Sequence, residues 1–188
     1  MGAPTTEFKQ VPVTTDGSTI EDADLRYTAV NGFSAVDVGT PLDFGSVSIS
    51  GGAADSSVQA VVFRVSAFNG ATDVTNLRFW VTYDFIASTV EWASPKLTAT
   101  TEWVQNPTTS SYTYATLPVS EPGSANLNKA DGVTANLTAE VPTGSPAYSD
   151  TTEAMVMYVA VGATENLGTY TGSGGSQDFQ YNLKFDFS

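Results

Sequence analysis

Apolar and polar residues alternate along several short segments of the chain, most regularly at the C-terminus. Phe179, Tyr181, Leu183, Phe185 and Phe187 occupy every second position there, and polar residues lie between them. Successive side chains of a β-strand point to opposite faces of the sheet. The pattern therefore predicts a strand with one buried face and one face in water.

Further segments predict strands of the same kind. Residues 77–85 place their apolar side chains on one face and Trp80 on the opposite, polar face. Residues 61–65 predict a strand that precedes this one across the turn Asn69-Gly70. Residues 155–161 are apolar on both faces, which is typical of a central strand covered on both sides.

Turn-forming residues recur between these segments. Asn31-Gly32 predicts a tight hairpin between residues 25–30 and 33–38, because both turn residues tolerate a positive φ. No segment shows the apolar period of a helix. The fold class predicted is all-β, a single antiparallel β-sandwich over residues 1–188, Ig-like or jelly-roll, with about nine to eleven strands.

The charge of the chain limits its partners. The net charge is −13, from 20 acidic and seven basic residues. Nucleic acids and anionic membranes repel such a surface, because binding to phosphates relies on Lys and Arg. The apolar runs are also far shorter than the ~20 residues of a spanning helix. We expect neither a nucleic-acid partner nor membrane insertion.

The chain contains no histidine and no cysteine. Ser-His-Asp and Cys-His catalysis need an imidazole, and zinc sites lose their two commonest ligands. Two-carboxylate glycoside hydrolysis stays open, since it needs only Asp or Glu. The segment from Glu153 to Met157 is mildly similar to the nucleophile strand of some jelly-roll cellulases, with Glu91 as the second carboxylate. The wider motifs of those enzymes are missing, so we expect a non-enzymatic protein.

An acidic loop is the candidate metal site. Asp16, Glu21, Asp22 and Asp24 place four carboxylates close together in the sequence. Carboxylate oxygens are hard ligands that suit Ca²⁺. The spacing of an EF-hand is absent, however, and a loop of solvated carboxylates is the alternative in a chain this negative. We expect no cofactor, and calcium is the one candidate that the sequence leaves open.

Three tryptophans are the candidate interface residues: Trp80, Trp92 and Trp103. Trp80 alternates away from the predicted core, and Trp103 follows a polar run. Exposed aromatic side chains on a β-sheet serve as sugar-stacking platforms or as anchors of a protein interface. The alternative is that they cover a second, smaller core under the loops.

Two parts of the chain resemble Ig-like modules of bacteriophage structural proteins and bacterial surface proteins. Residues 42–47, Gly51-Gly52 and residues 58–65 look like the strand-turn-strand opening of such a module. Residues 168–172 and 179–185 are similar to its closing strand. These segments cover less than half of the chain, and the resemblance implies a sandwich with a surface role.

The same resemblance implies either a virion protein, such as a capsid-decoration, head-fibre or tail-accessory subunit, or a subunit of a cell-surface fibre. The N-terminus shows no signal-peptide pattern, which favours a virion over the cell surface unless a leader was replaced. The partners expected are other copies of the chain and neighbouring virion subunits. A secreted surface-filament subunit or adhesin and a carbohydrate-binding module are the alternatives.

Overall fold

The computed structural model describes residues 2–10, 34–36, 42–93, 108–127, 136–138, 152–166, 168, 170–171 and 177–188. These ranges form eleven β-strands and no helix, which confirms the predicted all-β class. The hairpin predicted at Asn31-Gly32 lies outside them. The strands are β1 (Thr5–Gln10), β2 (Ser34–Val36), β3 (Ala54–Asp55), β4 (Gln59–Ala67), β5 (Asp73–Tyr83), β6 (Thr89–Ala93), β7 (Ala115–Thr116), β8 (Asn136–Thr138), β9 (Thr152–Val161), β10 (Tyr170–Thr171) and β11 (Gln177–Phe187).

The strands form two sheets. The first has the order β2, β1, β4, β9, β6 and β7, and β3 pairs with β9 on the same side as β4. The second has the order β10, β11, β5 and β8. All pairs are antiparallel except β10 with β11, which is parallel. In the described part of the chain, no helix is long and apolar enough to cross a membrane.

The core lies between the two sheets. Phe79 of β5 occupies its middle, with ring centroids 5.9 Å from Trp92 of β6 and Tyr181 of β11, and 6.0 Å from Phe8 of β1. As predicted, β9 is a central strand, and its middle is buried on both faces. Met155 and Met157 belong to the core, and Val156, which alternates away from them, is also fully buried.

A tight turn connects the first sheet to the second. The N–H of Ala71 donates to the carbonyl of Phe68 at 2.9 Å. Asn69 and Gly70 lie between them with φ angles of 52° and 88°. Both angles fall in the left-handed region, which Asn and Gly adopt most readily. The predicted turn is confirmed, and it joins β4 to β5.

Residues 42–47 differ from the expectation that the phage resemblance raised. They form no strand. Asp43 accepts a hydrogen bond from the N–H of Gly45 at 2.7 Å, and Gly45 has a φ of 75°. This side-chain turn competes with an extended backbone. The segment still contributes to packing, because Phe44 contacts Phe179 with centroids 5.9 Å apart.

On one side of β5, a side chain makes some of the backbone hydrogen bonds that a neighbouring strand would otherwise make. The N–H of Phe79 donates to Oδ1 of Asn126, and Nδ2 of Asn126 donates to the carbonyl of Phe79, both at 2.7 Å. Two residues along, the N–H of Val81 donates to the carbonyl of Pro118 at 2.9 Å. A side-chain amide offers one acceptor and two donors, so Asn126 takes the place of a neighbouring strand.

The hydroxyl of Tyr181 is buried and has no hydrogen-bond partner among the described residues. Burial raises the pKa of this hydroxyl well above its usual value. An unpaired buried hydroxyl costs about 1 to 3 kcal/mol. We therefore expect Tyr181→Phe, which keeps the ring on Phe79, to raise the free energy of unfolding by about 1 kcal/mol in urea titrations.

The matched control for this substitution is Tyr114→Phe. The Tyr114 hydroxyl donates to the carbonyl of Thr108 at 3.0 Å, so its removal is expected to lower stability slightly. A lower free energy of unfolding for Tyr181→Phe would show that the Tyr181 hydroxyl is paired in the folded protein.

Candidate functional site

The predicted calcium ligands Asp16, Glu21, Asp22 and Asp24 lie outside the described residues, as does Trp103. The calcium site therefore stays a prediction. Within the described ranges, no group of three or more acidic side chains comes close enough to hold a metal ion.

The other two tryptophans have different surroundings. Trp80 is half-buried on the outer face of β5, opposite Asn182 of β11, so its predicted orientation away from the core is confirmed. Trp92 is 9% exposed and belongs to the core. Naming Trp92 as an interface residue was wrong, because Val90 and Trp92 share the inward face of β6. That alternation was the signal in the sequence.

The two carboxylates considered for glycoside hydrolysis are separated along β9. Glu91 on β6 pairs with Tyr158, whereas Glu153 lies five residues from Tyr158 on β9 itself. Five residues of a strand span roughly 16 Å, and the mechanism holds its carboxyl groups about 5 to 9.5 Å apart. The strand register therefore does not bring these two backbone positions together as a catalytic pair.

A cluster of tyrosines lies beside Glu91. Tyr158 projects from the side of β9 opposite the core, and Tyr114, just before β7, packs edge-to-face against it with centroids 5.0 Å apart and planes at 82°. Tyr112 packs against Tyr114 in the same way, with centroids 6.1 Å apart. We call the surface formed by Glu91 and these three tyrosines the tyrosine face.

The carboxylate of Glu91 is held in place by two threonines. Its Oε1 accepts hydrogen bonds from Thr89 Oγ1 at 2.8 Å and from Thr116 Oγ1 at 2.9 Å. Thr116 belongs to β7, so its bond also fastens that short strand to β6. The second oxygen of Glu91 forms no hydrogen bond within the described part of the chain.

The hydroxyls of Tyr114 and Tyr158 stay protonated over the physiological pH range. Burial, followed by the nearby Tyr112 and Tyr158, raises the pKa of Tyr114 to about 12. Burial also raises the pKa of Tyr158, and the negative charges of Asp55 and Glu91 add to the effect. The rings are thus neutral, and two carboxylates lie near Tyr158.

A buried carboxylate joins two loops near one end of the tyrosine face. Glu165 is 7% exposed and accepts hydrogen bonds from the N–H groups of Ile86, Ala87 and Asn166 and from the hydroxyl of Ser88. The distances run from 2.6 Å for the Ser88 hydroxyl to 3.1 Å for the Ile86 N–H. We call this arrangement the Glu165 clasp.

A glycine makes the clasp sterically possible. The N–H of Gly162 donates to Ser88 Oγ at 3.1 Å, which brings the two loops close together. A Cβ atom at Gly162 would lie 2.1 Å from the carbonyl oxygen of Ala87. These four hydrogen bonds serve three backbone N–H groups and Ser88, so we assign Glu165 a structural role.

The outer face of the second sheet carries an ion-pair network. Glu121 Oε1 accepts hydrogen bonds from Arg78 of β5 and from Lys184 of β11, the latter at 2.8 Å. The bond from Lys184, more than any other effect, lowers the pKa of Glu121. Exposed ion pairs contribute little stability in water, so this network mainly fixes side-chain positions.

No family model, curated protein or solved structure matches the chain. The chemistry of the described residues is therefore the ground for a functional proposal.

Proposed function

We propose that this domain is a non-enzymatic structural subunit of a virion. It would act through contacts with its own copies or with neighbouring subunits. The observation that carries the proposal is a row of incompletely buried apolar side chains on β11. The inward residues of β5, such as Leu77 and Phe79, are fully buried. Phe179, Tyr181, Leu183 and Phe185 on β11 face the same core and are only half-buried.

The end of β11 is still more exposed. Phe187 is 42% exposed, and its ring lies 6.4 Å from that of Phe185. On the side of β11 away from β5, β10 pairs with Gln177 and Asp178, and no other described residue pairs there. A strand edge with apolar side chains beside it is the kind of surface on which another chain adds a strand.

Pairing between two copies of β11 fits this surface. Antiparallel pairing of identical strands is self-complementary and gives a closed dimer with a twofold axis. The net charge of −13 opposes association, so the attraction has to come from a specific contact. Burial of half-exposed aromatic rings supplies such a contact.

Residues 58–65 and 179–185 resemble modules of phage structural proteins and of bacterial surface proteins, which supports a structural subunit of either a virion or a surface filament. Neighbouring genes provide the direct test of location. Terminase, portal and tail genes beside this one would support the virion, whereas a sortase or usher gene would favour the filament.

Self-association is tested by light scattering and sedimentation of the full chain over a range of concentrations. We expect the mass to rise with concentration, and we expect Phe187→Lys to raise the dissociation constant about tenfold or more. Val119→Lys is the matched control, because Val119 is 56% exposed and lies outside β11. A wild-type monomer at every concentration that also fails to bind isolated virions or filaments would overturn the proposal.

A further inference from the structure

The tyrosine face combines aromatic surface with negative charge. Tyr158 is half-buried, so part of this residue stays accessible beside its edge-to-face contact with Tyr114. The carboxylates of Glu91 and Asp55 lie on the two sides of β9 around this ring, on β6 and β3. Tyrosine rings attract cations through their electron-rich faces.

The charge of this face is not balanced by its own strands. β3, β6, β7 and β9 contain no Lys or Arg, and neither do residues 108–114. The opposite sheet differs, because there Glu121 binds both Arg78 and Lys184. Glu91 instead binds two neutral hydroxyls through Oε1. Its second oxygen has no hydrogen bond within the described ranges and is available as an acceptor.

We infer that the tyrosine face binds an arginine side chain on an extended segment of a partner subunit. A guanidinium group stacks on a tyrosine ring and donates to a carboxylate at the same time, because it is planar and carries several N–H donors. Tyr158 supplies the ring, and Glu91 and Asp55 supply the negative charge. The inference rests on the proposed function only in taking the ligand to be a protein.

A neutral sugar is the competing ligand, since sugars also stack on tyrosine. Stacking of a sugar needs no excess of negative charge, whereas two carboxylates without a basic neighbour on the same strands favour a cation. The two ligands are therefore distinguished by whether binding depends on charge.

The experiment follows the amide resonances of the full-length protein while a short capped Gly-Arg repeat peptide is added. The same peptide with citrulline in place of arginine is the neutral control, since citrulline keeps the shape and loses the charge. We expect the arginine peptide to shift resonances of residues 89–93, 112–116 and 156–160. The citrulline peptide should bind at least tenfold more weakly.

Three variants locate the site. Tyr158→Ala and Glu91→Gln are each expected to weaken binding about fivefold or more, and Glu91→Gln keeps the Oε1 acceptor that Thr89 and Thr116 use. Glu121→Gln removes a carboxylate of the opposite sheet and should leave binding unchanged. If Tyr158→Ala fails to fold, Glu91→Gln still decides the question.

Several results would overturn the inference. One is the absence of resonance shifts at the tyrosine face, and another is equal affinity for the arginine and citrulline peptides. A third is an equal loss of affinity in Glu91→Gln and Glu121→Gln, which would indicate unspecific attraction to an acidic protein. Binding of neutral xylo- or cello-oligosaccharides at the same resonances, without binding of the arginine peptide, would assign the face to a glycan. Self-association through β11 does not enter this measurement, so the two proposals can fail separately.

Discussion

Truncation after Ser176 is expected to produce insoluble protein. The deleted residues include β11, which pairs with β5 from Phe179 to Phe187. Its apolar side chains would contribute about 1.5 to 3 kcal/mol each if fully buried, and half-burial still leaves a sum comparable with the net stability of a domain. The deletion would also expose the N–H and C=O groups of β5 to other chains.

The truncation distinguishes two roles of β11. A strand that is donated to the next subunit would leave behind a folded domain, which would accept the matching peptide in trans. The described pairing lies within one chain, which favours the insoluble outcome. Solubility after expression and circular dichroism are the measurements. A soluble truncated protein with an unchanged spectrum would show that β11 is not required for the fold.

A point substitution on β11 gives a test that does not depend on deletion. Leu183 lies opposite Phe79 in the core, and the neighbouring Asn182 faces outward opposite Trp80. Leu183→Asp places a charge among apolar side chains, so it should lower stability far more than Asn182→Asp. Equal effects would mean that the inward face of β11 is not packed in solution.

The strands could be predicted where one face is buried and the other is wet. Residues 77–81 of β5 and 179–183 of β11 alternate, so their inward side chains follow from the sequence. The positive φ of Asn76 and a register shift between Lys184 and Asp186 interrupt the pattern, and Phe187, predicted on the buried face, is 42% exposed. The inward position of Trp92 is less evident from the sequence, because β6 has only five residues and its alternating pattern is correspondingly short. Residues 42–47 contain an extended apolar pattern, but a local side-chain turn at Asp43 overrides it.

The tyrosine face could not be predicted in the same way. Tyr112 and Tyr114 meet Tyr158 only because β6 pairs with both β7 and β9. β7 consists of Ala115 and Thr116, which is too short for an alternating pattern. Strand register depends on contacts between distant segments, and a pattern along one segment does not specify it.

The Glu165 clasp escaped prediction for a related reason. Glu165 follows β9 as a single acidic residue in a turn, and its sequence neighbours resemble those of any solvated glutamate. Its partners Ile86, Ala87 and Ser88 lie in the connection between β5 and β6. Only the fold brings the N–H groups of Ile86 and Ala87 and the hydroxyl of Ser88 to one carboxylate.

Glu165→Ala is expected to lower the free energy of unfolding by roughly 3 kcal/mol, because it leaves the buried Ser88 hydroxyl and three partly buried N–H groups without an acceptor and opens a small cavity. Glu165→Gln should also destabilise, though less. The four donors of the clasp surround both carboxylate oxygens, and an amide presents N–H groups on one side, where donors would face donors.

Glu121→Gln is the control, because the loss of its exposed ion pairs should leave stability nearly unchanged. Urea titrations of the three variants measure their free energies of unfolding and so rank their stabilities. Equal stability of Glu165→Ala and the wild type would mean that water replaces the carboxylate without cost, and that the two loops do not depend on the clasp.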